Sequence, residues 1–188
     1  MGDLPVQTQK DISSKSKTLV EGFRYVRKKV LDAQSITEFF KDVLDAAVGI
    51  TNIDKGLLPD GVSLLVSRIS IGVANAAGDN VDLPSYENVH DSGGVPTAIL
   101  NGEIEITTGS GKTLLPSTPM KKFFAVGGAA MVNGQTGAVE VELKAPKMWN
   151  PGEKLNITFR GAANGSEYAA NNTFLEVILM GPETASIK

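Results

Sequence analysis

The spacing of apolar residues changes near residue 60 of this 188-residue chain. Before that point, apolar residues recur three or four positions apart, which is the spacing of one face of an amphipathic helix. After it, apolar and polar residues alternate, as they do in a strand with one buried and one solvated face. The turn sequence Pro59-Asp60-Gly61 lies at the boundary. The pattern predicts a basic tail with two amphipathic helices over residues 1–60 and a β-body over residues 61–188.

The first helix is predicted over Lys15 to Ala33, where the apolar residues Leu19, Phe23, Val26 and Val30 follow a 4-3-4 spacing. Gly22 lies within this segment and weakens its helical preference by about 1 kcal/mol relative to alanine. The opposite surface of the helix would be basic.

The second helix is predicted to begin at the capping box Ser35-Ile36-Thr37-Glu38 and to end at Gly49. Its apolar stripe is too broad to stay exposed to water, so the helix must lie against the body or against a neighbouring subunit. The side chains expected to form this subunit contact are Ile36, Phe39, Phe40, Val43 and Leu44.

Alternation predicts four strands in the body, at residues 62–74, 100–106, 139–144 and 154–160. The buried face of the first strand is predicted to carry Leu65, Ile69, Ile71 and Val73. A further strand, Thr173 to Met180, is apolar on both faces apart from Glu176, so we expect it to be central or covered by another subunit. Weaker segments bring the total to about eight strands. An antiparallel β-sandwich of jelly-roll type is the most economical architecture.

Composition limits the chemistry available to the chain. Hydrophobic residues make up 41% of it, which is enough for one core. The chain has no cysteine, so it has no disulfide, no thiolate nucleophile and no cysteine-based metal site. The longest uncharged stretch, residues 123–139, contains polar residues and is shorter than the roughly 20 apolar residues of a membrane-spanning helix. We therefore expect a soluble protein or a component of a soluble particle.

Charge is divided unevenly along the chain. Up to Gln34 there are seven Lys and Arg against four Asp and Glu, a net charge of +3, whereas the rest carries eleven against seventeen, a net charge of −6. A basic segment of this size attracts the phosphates of nucleic acid or of lipid headgroups weakly and in a salt-dependent way. A solvated helix face is the alternative explanation. The predicted anion-binding residues are Lys10, Lys15, Lys17, Arg24, Arg27, Lys28 and Lys29.

One segment resembles the end of a phosphate-binding P-loop. Residues Gly109 to Thr113 read GSGKT, but Ile106 occupies the position at which the motif needs a glycine, and no clear helix follows. A tight turn between two strands is the preferred interpretation.

The loop over residues 75–97 carries the remaining candidates for metal or nucleophile chemistry. His90 is the only histidine and belongs to no nucleophile motif. Asp79, Asn80 and Asp82 could offer oxygen ligands to calcium, but the spacing of an EF-hand is missing.

Two carboxylate pairs, Glu103 with Glu105 and Glu140 with Glu142, each lie on one face of a predicted strand. Residues two apart on a strand are about 6.5–7 Å apart, close to the separation used by glycosidases. An alternating strand with a charged solvent face gives the same pattern without any catalysis. We expect no enzyme activity, no cofactor and no resident metal.

The closing part of the chain resembles a family of virion proteins. The segment Asn150 to Phe159 (NPGEKLNITF) and the later segment Phe174 to Gly181 (FLEVILMG) are similar to the last two strands of many phage virion proteins. The order of basic arm, amphipathic helix and β-body resembles the single jelly-roll coat proteins of icosahedral viruses and tailless phages. The resemblance implies a structural subunit of a virion that assembles with copies of itself and with other virion proteins. It implies no active site and no small-molecule substrate.

A glycan-binding β-sandwich is the alternative function. Tyr86, Trp149 and Tyr168 lie in turn-like surroundings, where aromatic rings could form a platform for sugars. Filling of interfaces or capping of the ends of the sandwich is the competing interpretation of the same three residues.

Overall fold

The computed structural model describes residues 17–30, 36–41, 45–76, 86, 95–124, 140–162 and 172–186. Within them lie a short helix α1 (Thr97–Leu100), a 3-10 helix (Met120–Phe123) and eight strands. The strands are β1 (Lys17–Lys29), β2 (Ile36–Glu38), β3 (Leu64–Ala76), β4 (Glu103–Thr108), β5 (Thr113–Pro119), β6 (Val141–Trp149), β7 (Leu155–Arg160) and β8 (Asn172–Ser186).

The strands form two four-stranded antiparallel sheets. Sheet I has the order β1-β8-β3-β6 and sheet II has the order β2-β7-β4-β5. The described core unites inward-facing side chains of both sheets, and its largest fully buried members are Trp149, Phe39, Phe123 and Phe159. The predicted β-sandwich is therefore confirmed as an architecture of two antiparallel sheets.

The strands with simple alternation fold as their sequences predict. In β7, Leu155, Ile157 and Phe159 are buried, and the residues between them face outward. In β4, Ile104 and Ile106 are buried in the same way. Each such side chain contributes roughly 1.5–3 kcal/mol when fully buried. The strand β8 lies between β1 and β3, so its predicted central position is confirmed.

The buried face of β3 differs from the prediction at its first residues. Leu64 and Val66 are buried there, and Leu65 is only partly buried. The pairing register shifts between Val66 and Arg68, so a bulge reverses the alternation before Ile69. Predicted strand 100–106 also begins later than expected, because Leu100 ends α1 and β4 starts at Glu103.

The helix predicted over Lys15 to Ala33 is wrong for the described residues, which form the edge strand β1. This strand pairs with β8 along its whole length, from Lys17 opposite Ser186 to Lys29 opposite Phe174. The 4-3-4 spacing arose by coincidence: Phe23 lies exposed on one face of the strand, whereas Val26 lies in the core on the other. Pairing with a central strand outweighs the weak local preference of such a segment.

The second predicted helix is also wrong where the structure describes it. Ile36–Glu38 form β2, which pairs with β7, and Phe39 donates its backbone N–H to the Ile157 carbonyl at 3.0 Å. Ser35, Val43 and Leu44 lie outside the described residues. Since β1 and β2 each belong to a sheet, residue 60 does not separate an extension from a body.

Candidate functional site

Arg24, one of the predicted anion-binding residues, forms an ion pair within the chain. Its guanidinium binds the Glu183 carboxylate of β8 at 2.5 Å, and both side chains are mostly buried. A Cβ on Gly22 would lie 2.6 Å from Glu183 Cβ and 2.9 Å from the core side chain of Leu64. Glycine at this position thus gives the pair its room on the inner face of sheet I.

Arg27, on the opposite face of the same strand, also forms an ion pair within the chain. Its Nε donates to Glu176 at 2.7 Å, and its terminal nitrogen donates to the Gly49 carbonyl at 2.8 Å. The guanidinium also lies over the rings of Tyr86 and Tyr25, at 4.6 and 5.4 Å from the ring centroids. Such cation–π contacts add to the attraction of the carboxylate.

The other predicted anion-binding residues have different surroundings. Lys28 Nζ donates to the Glu38 carbonyl at 2.8 Å and so joins β1 to β2. Lys17 and Lys29 are the first and last residues of β1. Lys10 and Lys15 lie outside the described residues. Binding of an external anion therefore stays a prediction, and Arg24 and Arg27 already have carboxylate partners.

Two of the three described residues of the predicted subunit contact belong to the chain's own core. Phe39 and Phe40 are buried against the two sheets, so the interpretation of these two as contacts with a neighbouring subunit is wrong. Ile36 is 48% exposed on the edge strand β2 and remains a candidate for that role. Val43 and Leu44 lie outside the described residues.

The predicted aromatic platform is wrong for the two members that the structure describes. Trp149 is fully buried, and its indole N–H donates to the Glu153 carbonyl at 2.7 Å. Tyr86 is buried in a small cluster with Ala74 and Phe174 on the outer face of sheet I. Neither ring can stack on a sugar. Tyr168 lies outside the described residues.

The P-loop-like segment forms a turn between β4 and β5, with Gly111 at a φ of 79°. Lys112 Nζ binds the Glu153 carboxylate at 3.2 Å, and Ser110 Oγ donates to it at 3.0 Å. We name Ser110, Lys112 and Glu153 the turn lock, because they join this turn to the one between β6 and β7. The lysine is therefore engaged by a carboxylate of the same chain.

The turn lock changes the acidity of its carboxylate. Partial burial alone would raise the pKa of Glu153, but hydrogen bonds from the Asn150 backbone, from Lys112 and from Ser110 favour the ionised form. Together they lower the pKa of Glu153 below its ordinary value.

The carboxylate pairs are held by neighbours on the surface. Glu103 accepts a hydrogen bond from Ser117 at 2.6 Å, and Glu105 binds Arg160 at 3.0 Å. Glu140 binds Arg68 at 2.9 Å, and Arg68 also binds Glu21. Among the described residues no group of three or more His, Cys, Asp or Glu could hold a metal ion. His90, Asp79, Asn80 and Asp82 lie outside these residues.

The outer faces of the two sheets differ. On sheet I, Tyr86 covers Gly72, while Phe23 is 53% exposed. On sheet II, the outward positions of β4 and β7 are polar, as in Glu105, Thr158 and Arg160. The helical spacing of Leu19, Phe23, Val26 and Val30 gave no sign that Phe23 would be an exposed ring on a sheet.

Three of the four edge strands, β1, β5 and β6, are protected against the addition of further strands. Residues 47–53 cover β1, where Arg27 donates its backbone N–H to the Ile50 carbonyl at 2.8 Å. The edge strand β6 leaves its pairing with β3 between Glu142 and Lys147, and it contains Pro146. The edge strand β5 contains two prolines. Bulges, prolines and covering segments all hinder strand addition.

A shallow depression of about 190 Å³ lies on sheet II, where β2 meets β7. Its lining consists of Glu38, Phe40, Lys41, Lys154, Asn156, Ile157 and Thr158. No motif in the sequence pointed to this site, because its two lysines are far apart in the chain and neither belongs to a run of bases.

Comparison with protein-family models, with curated proteins and with solved structures finds no match. In the part of the chain that the structure describes, no helix is long and apolar enough to cross a membrane.

Proposed function

We propose that this chain is a structural, non-enzymatic subunit of a viral or phage particle, present in the virion and assembling with copies of itself through the flanks of its sandwich. The observation that carries the proposal is the order of the strands in the two sheets. Other virion proteins are further partners in this proposal.

The strand order supports a jelly roll. The strands pair as β1 with β8, β2 with β7, β3 with β6 and β4 with β5, as if the chain first folded into one long antiparallel ribbon. Pairing of β8 with β3 and of β7 with β4 then rolls that ribbon into two sheets. Jelly rolls of eight strands are typical of viral capsid and lectin domains.

The protected edges favour contacts through faces and flanks. Because three of the four edges hinder strand addition, contacts through side chains are favoured, and Phe23 on sheet I is a half-exposed aromatic ring suited to such a contact. Ile36 offers a second exposed apolar side chain on sheet II. The glycan-binding alternative receives no support from Tyr86 or Trp149, since both are buried.

Light scattering during size-exclusion chromatography, with electron microscopy of the eluted species, tests the proposal. We expect assemblies of the purified protein and their loss in Phe23→Asp, whose exposed position leaves the melting temperature nearly unchanged. Ile36→Asp tests the other flank, and Thr113→Asp, at an exposed polar position of β5, is the control. A monodisperse 19.8 kDa monomer at all salt concentrations and pH values would contradict the proposal.

We also propose that the N-terminal bases make a weak, salt-dependent contact with nucleic acid or anionic lipid. Deleting residues 1–16 removes Lys10 and Lys15 and leaves β1 intact. Retention on nucleic acid and on anionic vesicles should then fall at low salt, because fewer counterions are released on binding. Equal, salt-insensitive retention of both forms would contradict this contact.

A further inference from the structure

We propose that the depression on sheet II binds a single hexose ring that carries a carboxylate or a phosphate group. In this assignment Lys41 and Lys154 bind the anionic group, while Asn156 and Thr158 bind ring hydroxyls. Phe40 supplies an apolar floor. The inference does not depend on the assembly of the chain, because all of these residues belong to one subunit.

The two lysines are the first reason for the assignment. Arg24, Arg27 and Lys112 each bind a glutamate. Lys41 and Lys154, in contrast, have no hydrogen-bond or ion-pair partner within the described ranges. Two ammonium groups without partners at the same depression form a site that an oxyanion fits, since charge-assisted hydrogen bonds are the stronger kind.

The backbone around Lys154 is held from two directions. The Lys154 carbonyl accepts a hydrogen bond from the Gly109 N–H at 2.7 Å, and the next N–H, of Leu155, donates to the Gly56 carbonyl at 2.7 Å. A Cβ on Gly56 would lie 3.3 Å from both Lys154 Cγ and Phe40 Cγ. The stem of the lysine and the phenyl ring thus both lie against Gly56, and the backbone that carries Lys154 is held in place before any ligand arrives.

The size and polarity of the depression define the kind of ligand. Its volume of about 190 Å³ lies below the roughly 300–1,000 Å³ of pockets for drug-sized molecules, which favours one sugar ring over an oligosaccharide or a nucleotide. Asn156 and Thr158 point outward from adjacent outward positions of β7 and can both donate and accept hydrogen bonds. A hydroxylated ring with one anionic substituent could contact the two lysines, the two polar side chains and the apolar floor at the same time.

Glu38, a carboxylate in the lining, provides a further test of the anionic part of the ligand. Its carboxylate is exposed at the rim, opposite Thr158 in the pairing of β2 with β7. The lining therefore carries two cations and one anion, and Glu38 must repel an anionic ligand. Glu38→Gln should tighten binding of an acidic hexose and leave the binding of a neutral hexose unchanged.

Saturation-transfer difference NMR on the full chain tests the site, since it detects a weakly bound sugar on a subunit or on an assembly. The observed probes are glucuronate, glucose 6-phosphate and glucose. Inorganic phosphate has no non-exchangeable proton, so its affinity is measured by competition against bound glucose 6-phosphate. We expect both acidic sugars to bind more tightly than either comparison probe. Inorganic phosphate that binds as tightly as glucose 6-phosphate would overturn the hexose part of the assignment.

The variants Lys41→Ala and Lys154→Ala should each weaken the Kd for glucuronate by about three- to ten-fold, as expected when one exposed charge-assisted contact is lost. Lys144→Ala, at an exposed position on β6 of the other sheet, is the matched control and should bind normally. Melting curves verify that the variants fold. Absence of binding by both acidic sugars, or binding that is insensitive to Lys41, Lys154 and Glu38, would overturn the proposal.

Discussion

The two sheets of the sandwich differ in where they place charge. In sheet I, Glu176 and Glu183 of the central strand β8 are mostly buried, and each binds an arginine of β1. In sheet II, the ion pair between Arg160 and Glu105 lies on the outer surface, where water screens it. Sheet I therefore has buried ion pairs in addition to the exposed pairs of Arg68, whereas the ion pair described for sheet II is solvated.

This difference indicates two kinds of stabilisation within one fold. Buried charges are favourable only while their partners remain, so removal of one partner of either pair should destabilise sheet I. Close backbone approaches add to this constraint, because Gly22, Gly72 and Gly181 of sheet I all lie against neighbouring groups. Sheet II obtains its stability from apolar inward residues, and its polar outer face is available for contacts with other molecules.

The largest expected effect comes from Gly181→Ala in sheet I. Gly181 has a φ of 152°, and a Cβ there would lie 2.0 Å from the Leu65 carbonyl oxygen at the bulge of β3. Because backbone must move to relieve this contact, we expect a loss of about 4 kcal/mol or more in the free energy of unfolding. Urea denaturation followed by circular dichroism measures the change.

Gly152→Ala is the matched control for this substitution. Gly152 has a φ of 77°, but no atom lies within 4 Å of the position that a Cβ would take. The loss should then be only the cost of a left-handed alanine, roughly 1–2 kcal/mol. Equal losses at the two glycines would show that the close approach at the bulge does not constrain sheet I.

The second prediction compares the ion pairs of the two sheets directly. The Glu176 side chain is 12% exposed and that of Glu105 is 34% exposed. Glu176→Gln leaves the Arg27 charge without its carboxylate in a partly buried place, and we expect a loss of about 2–3 kcal/mol. Glu105→Gln should cost less than about 1 kcal/mol. Urea denaturation of both variants at pH 7 measures the difference.

A paired replacement separates the value of the ion pair from the penalty of breaking it. Arg27→Leu combined with Glu176→Leu should be more stable than Glu176→Gln alone, since no uncompensated charge remains. If Glu176→Gln were as mild as Glu105→Gln, the two sheets would not differ in their dependence on charge partners.

The local pattern of apolar and polar residues was sufficient to predict some strands and insufficient to predict others. The strand β7 was predicted because its apolar and polar residues alternate strictly, and β8 because it is apolar on both faces. The strand β1 was not predicted, because Arg24 occupies an inward position. The ion pair with Glu183, which is distant in the chain, makes that position favourable. A hydrophobic pattern alone predicts that a charged residue such as Arg24 faces the solvent.

The candidate sites show the same limit of sequence analysis. Trp149 stands next to a turn sequence, which left open either an exposed platform or a cap at the end of the sandwich; it is paired with Leu64 across the sheet and lies in the core. The depression on sheet II combines Lys41 with Lys154, which only the pairing of β2 with β7 brings to one surface. Spacing along the chain contains no information about either arrangement.

The smallest expected effect concerns the turn lock, which joins a turn of sheet II to the connection between the sheets. Hydrogen bonds keep the pKa of Glu153 below the 4.5 of the unfolded chain, so its ionised form stabilises the fold above that pH. This contribution should disappear as the pH falls through the lower pKa of the folded state. Glu153→Gln should lose about 1 kcal/mol at pH 7, since it removes the charge from the hydrogen bonds to Lys112 and Ser110.

Thermal melts of the parent and of Glu153→Gln between pH 7 and pH 3 measure this contribution. The two melting temperatures should differ at pH 7 and converge on acidification, because the parent loses its charged hydrogen bonds as Glu153 takes up a proton. Glu142→Gln, at an exposed position on β6, is the control and should follow the parent throughout. A constant difference between Glu153→Gln and the parent at every pH would mean that the turn lock acts through the shape of the turn. The charge of Glu153 would then add nothing to the joining of the two sheets.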